Sequence, residues 1–321
     1  MRIAFVGKGG SGKTTLATLF TNYLINTKKS VLAIDADINM HMGEQLGFNE
    51  QIPFRKQLSN PDATKFIKQH LKGKNERIKS LAEFRKTTPP TKESNLVKIS
   101  QDDPIINNFS IKKENLVFMA VGTYDPDGIG ASCYHNNLAI LESLLFHIVD
   151  DGAYVVVDMV AGTDAFANTL HCQFDLLVLV IEPTRKGLEV FRQYYELAKS
   201  AGVDNQIIVI GNKIRTKEDR IFLLDNIPKA LIFDLFSESE YLRKYEQIGG
   251  KIDLNLLEKQ NLLILEKLFS FFNSIKSDPN KRLNRLYELH KKYIAQDSIR
   301  ERFGDLSGQI DESFEYPKVK K

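Results

Sequence analysis

Short apolar runs recur along the chain at 3–6, 31–34, 116–121, 154–157, 176–181, 207–210 and 230–233, each bounded by turn residues. They are rich in Val, Ile and Leu and do not alternate with polar residues, which is the pattern of strands covered on both faces. Helical spacing fills 14–25, 138–149 and 188–201 between them. Strand and helix in alternation imply right-handed crossovers. The predicted fold is α/β: a doubly wound, mostly parallel sheet flanked by helices.

Two stretches break this rhythm. Residues 55–98 hold twelve Lys or Arg against four acids, with Pro89-Pro90 near the end. A helical basic insertion is predicted at about 51–98, either a solvated face or a surface for phosphates. After Gly249-Gly250 an apolar helix at 254–272 is expected to close the core. From Asp278 a charged helix leads into a polar tail, so the predicted division is a main domain over 1–275 and an extension over 276–321.

The 321 residues are 42% hydrophobic, enough for one large α/β core or a core with a helical appendage. Lys plus Arg is 44 and Asp plus Glu 41, a net +3, which excludes an overall field that drives nucleic-acid or membrane binding. Two cysteines cannot make a disulfide framework and fit a reducing compartment. No apolar run approaches the ~20 residues that span a bilayer. The chain opens on Ile3-Ala4-Phe5-Val6 rather than on a charged leader. A soluble, cytoplasmic protein with no membrane partner is expected.

The strongest signal follows the first predicted strand. Gly7-Lys8-Gly9-Gly10-Ser11-Gly12-Lys13-Thr14 fits the phosphate-loop pattern G-x-x-x-x-G-K-[ST], and Thr15 continues into the helix. Glycines let backbone amides curl around phosphate oxygens, and the helix presents its unpaired N–H groups. Lys13 is then placed for the β- and γ-phosphates and Thr14 for Mg²⁺. Carboxylates that could attend the metal and the attacking water follow other strands, as Asp35-Ala36-Asp37 and as Asp158 in Val155-Val156-Val157-Asp158. Gly162 can offer an amide to a γ-phosphate.

Lys8, an extra lysine early in the loop, marks a narrower resemblance to the deviant Walker A group, the MinD/ParA-like P-loop ATPases of the SIMIBI class. The resemblance implies an Mg²⁺-dependent ATPase that binds ATP and ADP and forms a nucleotide-dependent homodimer, with Lys8 reaching the partner's nucleotide. It also implies Asp35 on the magnesium side, Asp37 on the water side, Asn212 as an adenine contact, and Ile227-Pro228 beside the base.

Residues 122–135, ending Ala131-Ser132-Cys133-Tyr134-His135, together with Asp158 to Gly162, Glu182-Pro183-Thr184 and Asp102-Asp103-Pro104-Ile105, resemble the CooC-type accessory ATPases that insert nickel into carbon-monoxide dehydrogenase. That family has Cys-x-Cys where this chain has Cys133-x-His135. Cys₂His₂ across a two-fold would suit Zn²⁺ or Ni²⁺; otherwise Cys133 is a small helix-start residue and His135 is solvated. Cys172 is expected in the core. The leading expectation is a homodimeric switch ATPase serving a client metalloenzyme or other protein. Alternatives are a ParA/MinD-type positioning ATPase, whose basic insertion could touch nucleic acid, and an iron-protein-like cluster carrier.

Overall fold

The computed structural model describes residues 1–99, 102–123, 134–163, 166 and 169–317, the side chains of 134–136 excepted. Its strands are β1 (Arg2–Gly7), β2 (Val31–Ala36), β3 (Val97–Lys98), β4 (Ile111–Lys113), β5 (Leu116–Ala120), β6 (Ile148–Val149), β7 (Tyr154–Met159), β8 (Leu176–Ile181), β9 (Ile207–Ile214) and β10 (Ile232–Ser237). Its helices are α1 (Lys13–Asn26), α2 (Met42–Gln45), α3 (Pro61–Lys72), α4 (Pro104–Phe109), α5 (Tyr134–His147), α6 (Arg185–Ala201), α7 (Lys217–Asn226), α8 (Glu240–Ile248), α9 (Lys259–Ser274), α10 (Pro279–Ile294) and α11 (Asp297–Phe303).

The main sheet has the order β10-β9-β8-β1-β7-β2-β5-β4. Every pair is parallel except β4 with β5 at the edge. The chain therefore starts in the middle of the sheet and winds outward both ways. Beside β1 lies the switch point of such a sheet, where ligands bind beyond the carboxyl ends of the strands.

Packing explains the unbroken apolar runs. On β1, Ile3 and Phe5 join one layer with Phe20 of α1 and Phe272 of α9, while Ala4 and Val6 join the other with Ile67 of α3, Leu141 of α5 and Phe191 of α6. Phe20 lies 6.0 Å from Phe5 and 6.3 Å from Phe272, ring centre to ring centre. With both faces covered, no strand position is left to be polar.

Some expected boundaries shift. The last strand begins at Ile232, because Pro228 starts a turn that takes in Ala230 and is closed by Leu231 N–H on Pro228 O at 2.9 Å. The apolar helix begins at Lys259, since Asp253 caps a separate short turn over Leu254–Leu256. Asp234, polar within β10, is matched by Lys267 Nζ at 2.8 Å.

The basic segment contains α3, capped by Asn60 and started by Pro61, and then a run of turns. Those turns lie against the C-terminal residues. Thr88 Oγ1 donates to Gln309 Oε1 at 2.9 Å, and Gln309 Nε2 donates to Glu83 O at 3.0 Å. Arg85 sits 4.2 Å over the Phe303 ring. Thr87 Oγ1 and His290 Nδ1 are 2.9 Å apart, both residues fully or nearly fully buried.

Burial pushes the His290 imidazole down to about 4. Between its ordinary value near 6.5 and about 4, the unfolded chain takes up a proton at this site that the folded chain refuses. Wild type should therefore lose stability relative to His290→Asn as pH falls through that window, by up to ~1.4 kcal/mol per pH unit. Urea unfolding of the two proteins at pH 7, 6 and 5 checks this; a constant difference would refute it.

Candidate active site

The loop between β1 and α1 is shaped by close approaches. Gly7 has φ 150°, and a Cβ there would stand 2.5 Å from Val180 O of β8. Gly12 has φ 91°, and its Cβ would meet Asn212 Nδ2 at 2.2 Å. A side chain at Gly7 would push the loop off the sheet, and one at Gly12 would be strained and would displace the Asn212 side chain. Gly12 caps α1 with no side-chain acceptor, so the first-turn amides remain available to an anion.

Lys8 is half-buried, and its ammonium has no ion pair or hydrogen bond among the described residues. Gly9 and Gly10 form the exposed tip, and Ser11 is buried with its hydroxyl unpartnered. Lys13 and Thr14 point to carboxylates. The Lys13 ammonium is paired with Asp37 in a short contact and lies 3.5 Å from Asp158 Oδ1. Thr14 Oγ1 donates to Asp158 Oδ2 at 2.6 Å.

Register brings the acids together. Asp35 and Asp158 are directly paired positions of β2 and β7, and Phe5 of β1 pairs with Asp158 from the other side. Asp35 is fully buried and accepts Asp37 N–H at 3.0 Å and Met42 N–H at 2.9 Å. Asp37 Oδ1 accepts the backbone and side-chain N–H groups of Asn39, both at 3.1 Å.

Three carboxylates face one ammonium. Burial raises Asp35 and Asp158 well above the ordinary carboxylate range, with Asp158 adding to the shift of Asp35 and Lys13 opposing that of Asp158. Burial would raise Asp37 too, but Lys13 outweighs it and holds Asp37 below its usual value. Burial would lower Lys13, and the Asp158 and Asp37 carboxylates overcome it. Asp158 Oδ1 is buried and accepts no hydrogen bond. All-oxygen donors with negative charge in excess fit a hard divalent cation such as Mg²⁺.

The remaining expected residues divide. Gly162, at φ 96°, donates its N–H to Gly7 O at 3.1 Å, which joins the segment after β7 to the loop. Asn212 Nδ2 donates to Ser11 O at 2.7 Å. Thr15 lines a cavity of about 440 Å³ beside Gly12. Ile227 and Pro228 are not brought to the loop. They follow α7 and precede β10, so they lie at the edge where parallel strands begin, whereas the loop lies where they end. Ile227 is packed in the core.

Cys133 lies outside the described residues, as does the side chain of His135. Away from the phosphate loop, no group of three or more His, Cys, Asp and Glu side chains among the described residues is placed to hold a metal ion. Cys172 is buried, donates to Thr169 O, and has its thiol pushed up to about 12 by burial and by Glu142. It is a packing residue.

Lys213 carried no role in the sequence pattern, yet it stands at φ 58° and bridges Gly10 O at 2.7 Å to Glu182 Oε1 at 2.8 Å. Its position directly after Asn212 is the one signal that could have marked it. Arg215, Phe236 and Glu238 join the cavity wall from β9, β10 and the turns after them, where nothing in the local sequence announces a site.

A β1–loop–α1 phosphate cradle with Walker-type carboxylates at a sheet switch point defines a P-loop ATPase. The chain belongs to the CobQ/CobB/MinD/ParA nucleotide binding domain family, whose model matches residues 3–303. An uncharacterised ATP-binding protein of Methanocaldococcus jannaschii is 27% identical over 282 residues, covering 86% of this chain and 99% of that protein. The carbon monoxide dehydrogenase accessory protein CooC of Rhodospirillum rubrum is 29% identical, covering 73% of this chain and 81% of CooC. The cell division ATPase MinD of Pyrococcus furiosus shares the fold with a TM-score of 0.54 at 17% identity, covering 84% of this chain and 98% of MinD. No helix among the described residues is long and apolar enough to cross a membrane.

Proposed function

We propose that this chain is a homodimeric, nucleotide-switched ATPase of the cytoplasm, a CooC-like accessory factor that serves a client metalloenzyme. The observation that carries this reading is the buried cluster of Lys13, Thr14, Asp37 and Asp158 at the switch point. The CooC relative supports the accessory role.

In the proposed cycle Lys13 exchanges Asp37 for the β- and γ-phosphates of ATP, while the amides of Gly9 to Thr15 cradle the phosphate oxygens. Thr14, Asp158 and, at one remove, Asp35 are the residues that would hold Mg²⁺, which when bound neutralises charge on the phosphates. Asp37, ionised, orients a water at the γ-phosphorus. The water oxygen bonds to phosphorus as the bond to the ADP oxygen breaks, giving ADP and phosphate. Gly162 N–H moves from Gly7 O to the γ-phosphate, so hydrolysis resets the segment after β7. Lys8 of the partner subunit stabilises the transferring phosphoryl group.

Lys8→Ala should leave ATP affinity within about two-fold while turnover falls ~10²-fold or more, as for loss of one preorganised donor. Nucleotide titration, turnover and solution mass measured together check this. Full turnover by the variant, or by a monomer, would remove Lys8 from the site.

The proposed cargo is Zn²⁺ or Ni²⁺, held by Cys133 and His135 from each subunit. Metal analysis with and without ATP should find about one ion per dimer, lost in Cys133→Ser. Metal-free wild type that instead gives an ATP-dependent, salt-sensitive shift of DNA would favour a positioning role through the basic segment.

A further inference from the structure

The cavity beside Gly12 and Thr15 is walled by Leu16 and Leu19 of α1, Phe236 of β10 and Leu242 of α8. Apolar walls beside a phosphate loop suit the base of a nucleotide. Arg243 and Glu246 of α8 also line it. The choice of base then depends on which polar atoms meet its edge.

Much of the main chain at that edge is already engaged. Ser237 N–H donates to Asn261 Oδ1 at 3.0 Å, and Ser237 O accepts from Asn261 Nδ2 at 3.0 Å. Asn261 is fully buried, which makes this pairing costly to open. Glu238 N–H donates to Ile214 O at 3.0 Å. Recognition is left largely to side chains.

Two of these offer acceptors. Asn212 Nδ2 donates to Ser11 O, and a carbonyl can only accept, so the carboxamide cannot flip without losing that bond. Its Oδ1 accepts no hydrogen bond among the described residues. Glu238 Oε1 accepts from Arg215 at 2.7 Å, which pins the carboxylate and leaves Oε2 uncommitted among the described residues. The Arg215 backbone N–H donates to Asp219 Oδ2 at 2.8 Å, which fixes the turn from which the guanidinium reaches Glu238.

We propose that Glu238, held by Arg215, determines base specificity: with Asn212 it presents acceptors that select a 6-amino purine over a 6-oxo purine. A 6-amino group donates to both acceptors. A 6-oxo group sets its lone pairs against them, one of them charged, so the wrong base meets repulsion where the right one makes a bond. This rests on reading the loop as an ATP site and adds the residue that excludes the competing base.

Calorimetric titration of wild type, Glu238→Gln and Arg215→Ala with ATP, ITP and tripolyphosphate tests it. Wild type should bind ATP ~10-fold or more tighter than ITP. Glu238→Gln, whose amide can turn a donor toward a 6-oxo group, should narrow that ratio several-fold without changing the tripolyphosphate affinity. Arg215→Ala, which only frees the carboxylate, should narrow it less. An unchanged ratio in Glu238→Gln overturns the proposal. Wild type that binds ATP no tighter than tripolyphosphate also overturns it, while leaving the phosphate loop intact as a reading. If none of the three binds, the ATP-site reading itself falls.

Discussion

Lys13→Ala is expected to reduce ATP turnover by ~10²–10³-fold or more, and to weaken ATP binding with it. Among the described residues Lys13 is the lone cation beside Asp35, Asp37 and Asp158. Removing it takes away the group that meets the β- and γ-phosphates, and it also leaves three carboxylates facing a polyanion. Both effects act in the same direction. The fold should survive, because the carboxylates can neutralise themselves by taking up protons. Near-native circular dichroism with no ATP-dependent heat is the expected result. Wild-type turnover by the variant would refute the site.

Arg282→Ala should destabilise the fold by ~3–5 kcal/mol, the range for breaking a buried ion pair on one side. Arg282 of α10 reaches Asp175 Oδ1 at 2.7 Å and Asp150 Oδ2 at 3.4 Å, all three residues being mostly buried. Asp150 keeps Arg2 Nε at 2.7 Å, but Asp175 loses its cation. Arg2 is further bound to Leu145 O, Ile148 O and Gln173 Oε1. The cluster thus ties α10 to the end of the sheet opposite the phosphate loop. Burial would raise the Asp150 carboxyl, but Arg2, the Met1 ammonium and Arg282 more than offset this and hold it well below the usual carboxylate range. Its contribution is therefore present above the ordinary carboxylate pKa and is lost as pH falls below it. Urea unfolding at pH 7 checks the main effect, with ATPase activity per folded molecule expected to hold. A shift under ~1 kcal/mol would mean the helix is not fastened there.

Much of the site was legible because its signals are local. A phosphate loop needs glycines, a lysine and a hydroxyl at fixed offsets, and the strand before and the helix after it carry their own periodicity. Asp35, Asp37 and Asp158 were legible because each ends an apolar run. Ile227-Pro228 shows where such reading fails. A dipeptide between a helix and a strand can belong to either edge of a sheet, and only the strand's direction decides. Lys213 and Glu238 were invisible for a related reason, since their partners, Gly10 and Arg215, are set by loop conformation and by neighbouring strand ends.

By itself the sequence determined the α/β layering, the phosphate loop and the order of its carboxylates, because burial on both faces and backbone curvature dictate residue type at each step. Tertiary structure alone decided that Asp35 and Asp158 stand side by side and that Lys13 turns to Asp37. It also decided that the basic turns after α3 lie against the C-terminal helix, and that a cavity opens beside Gly12. Those facts depend on register and on which distant segments share an edge, and neither leaves a mark on the spacing of residues along the chain.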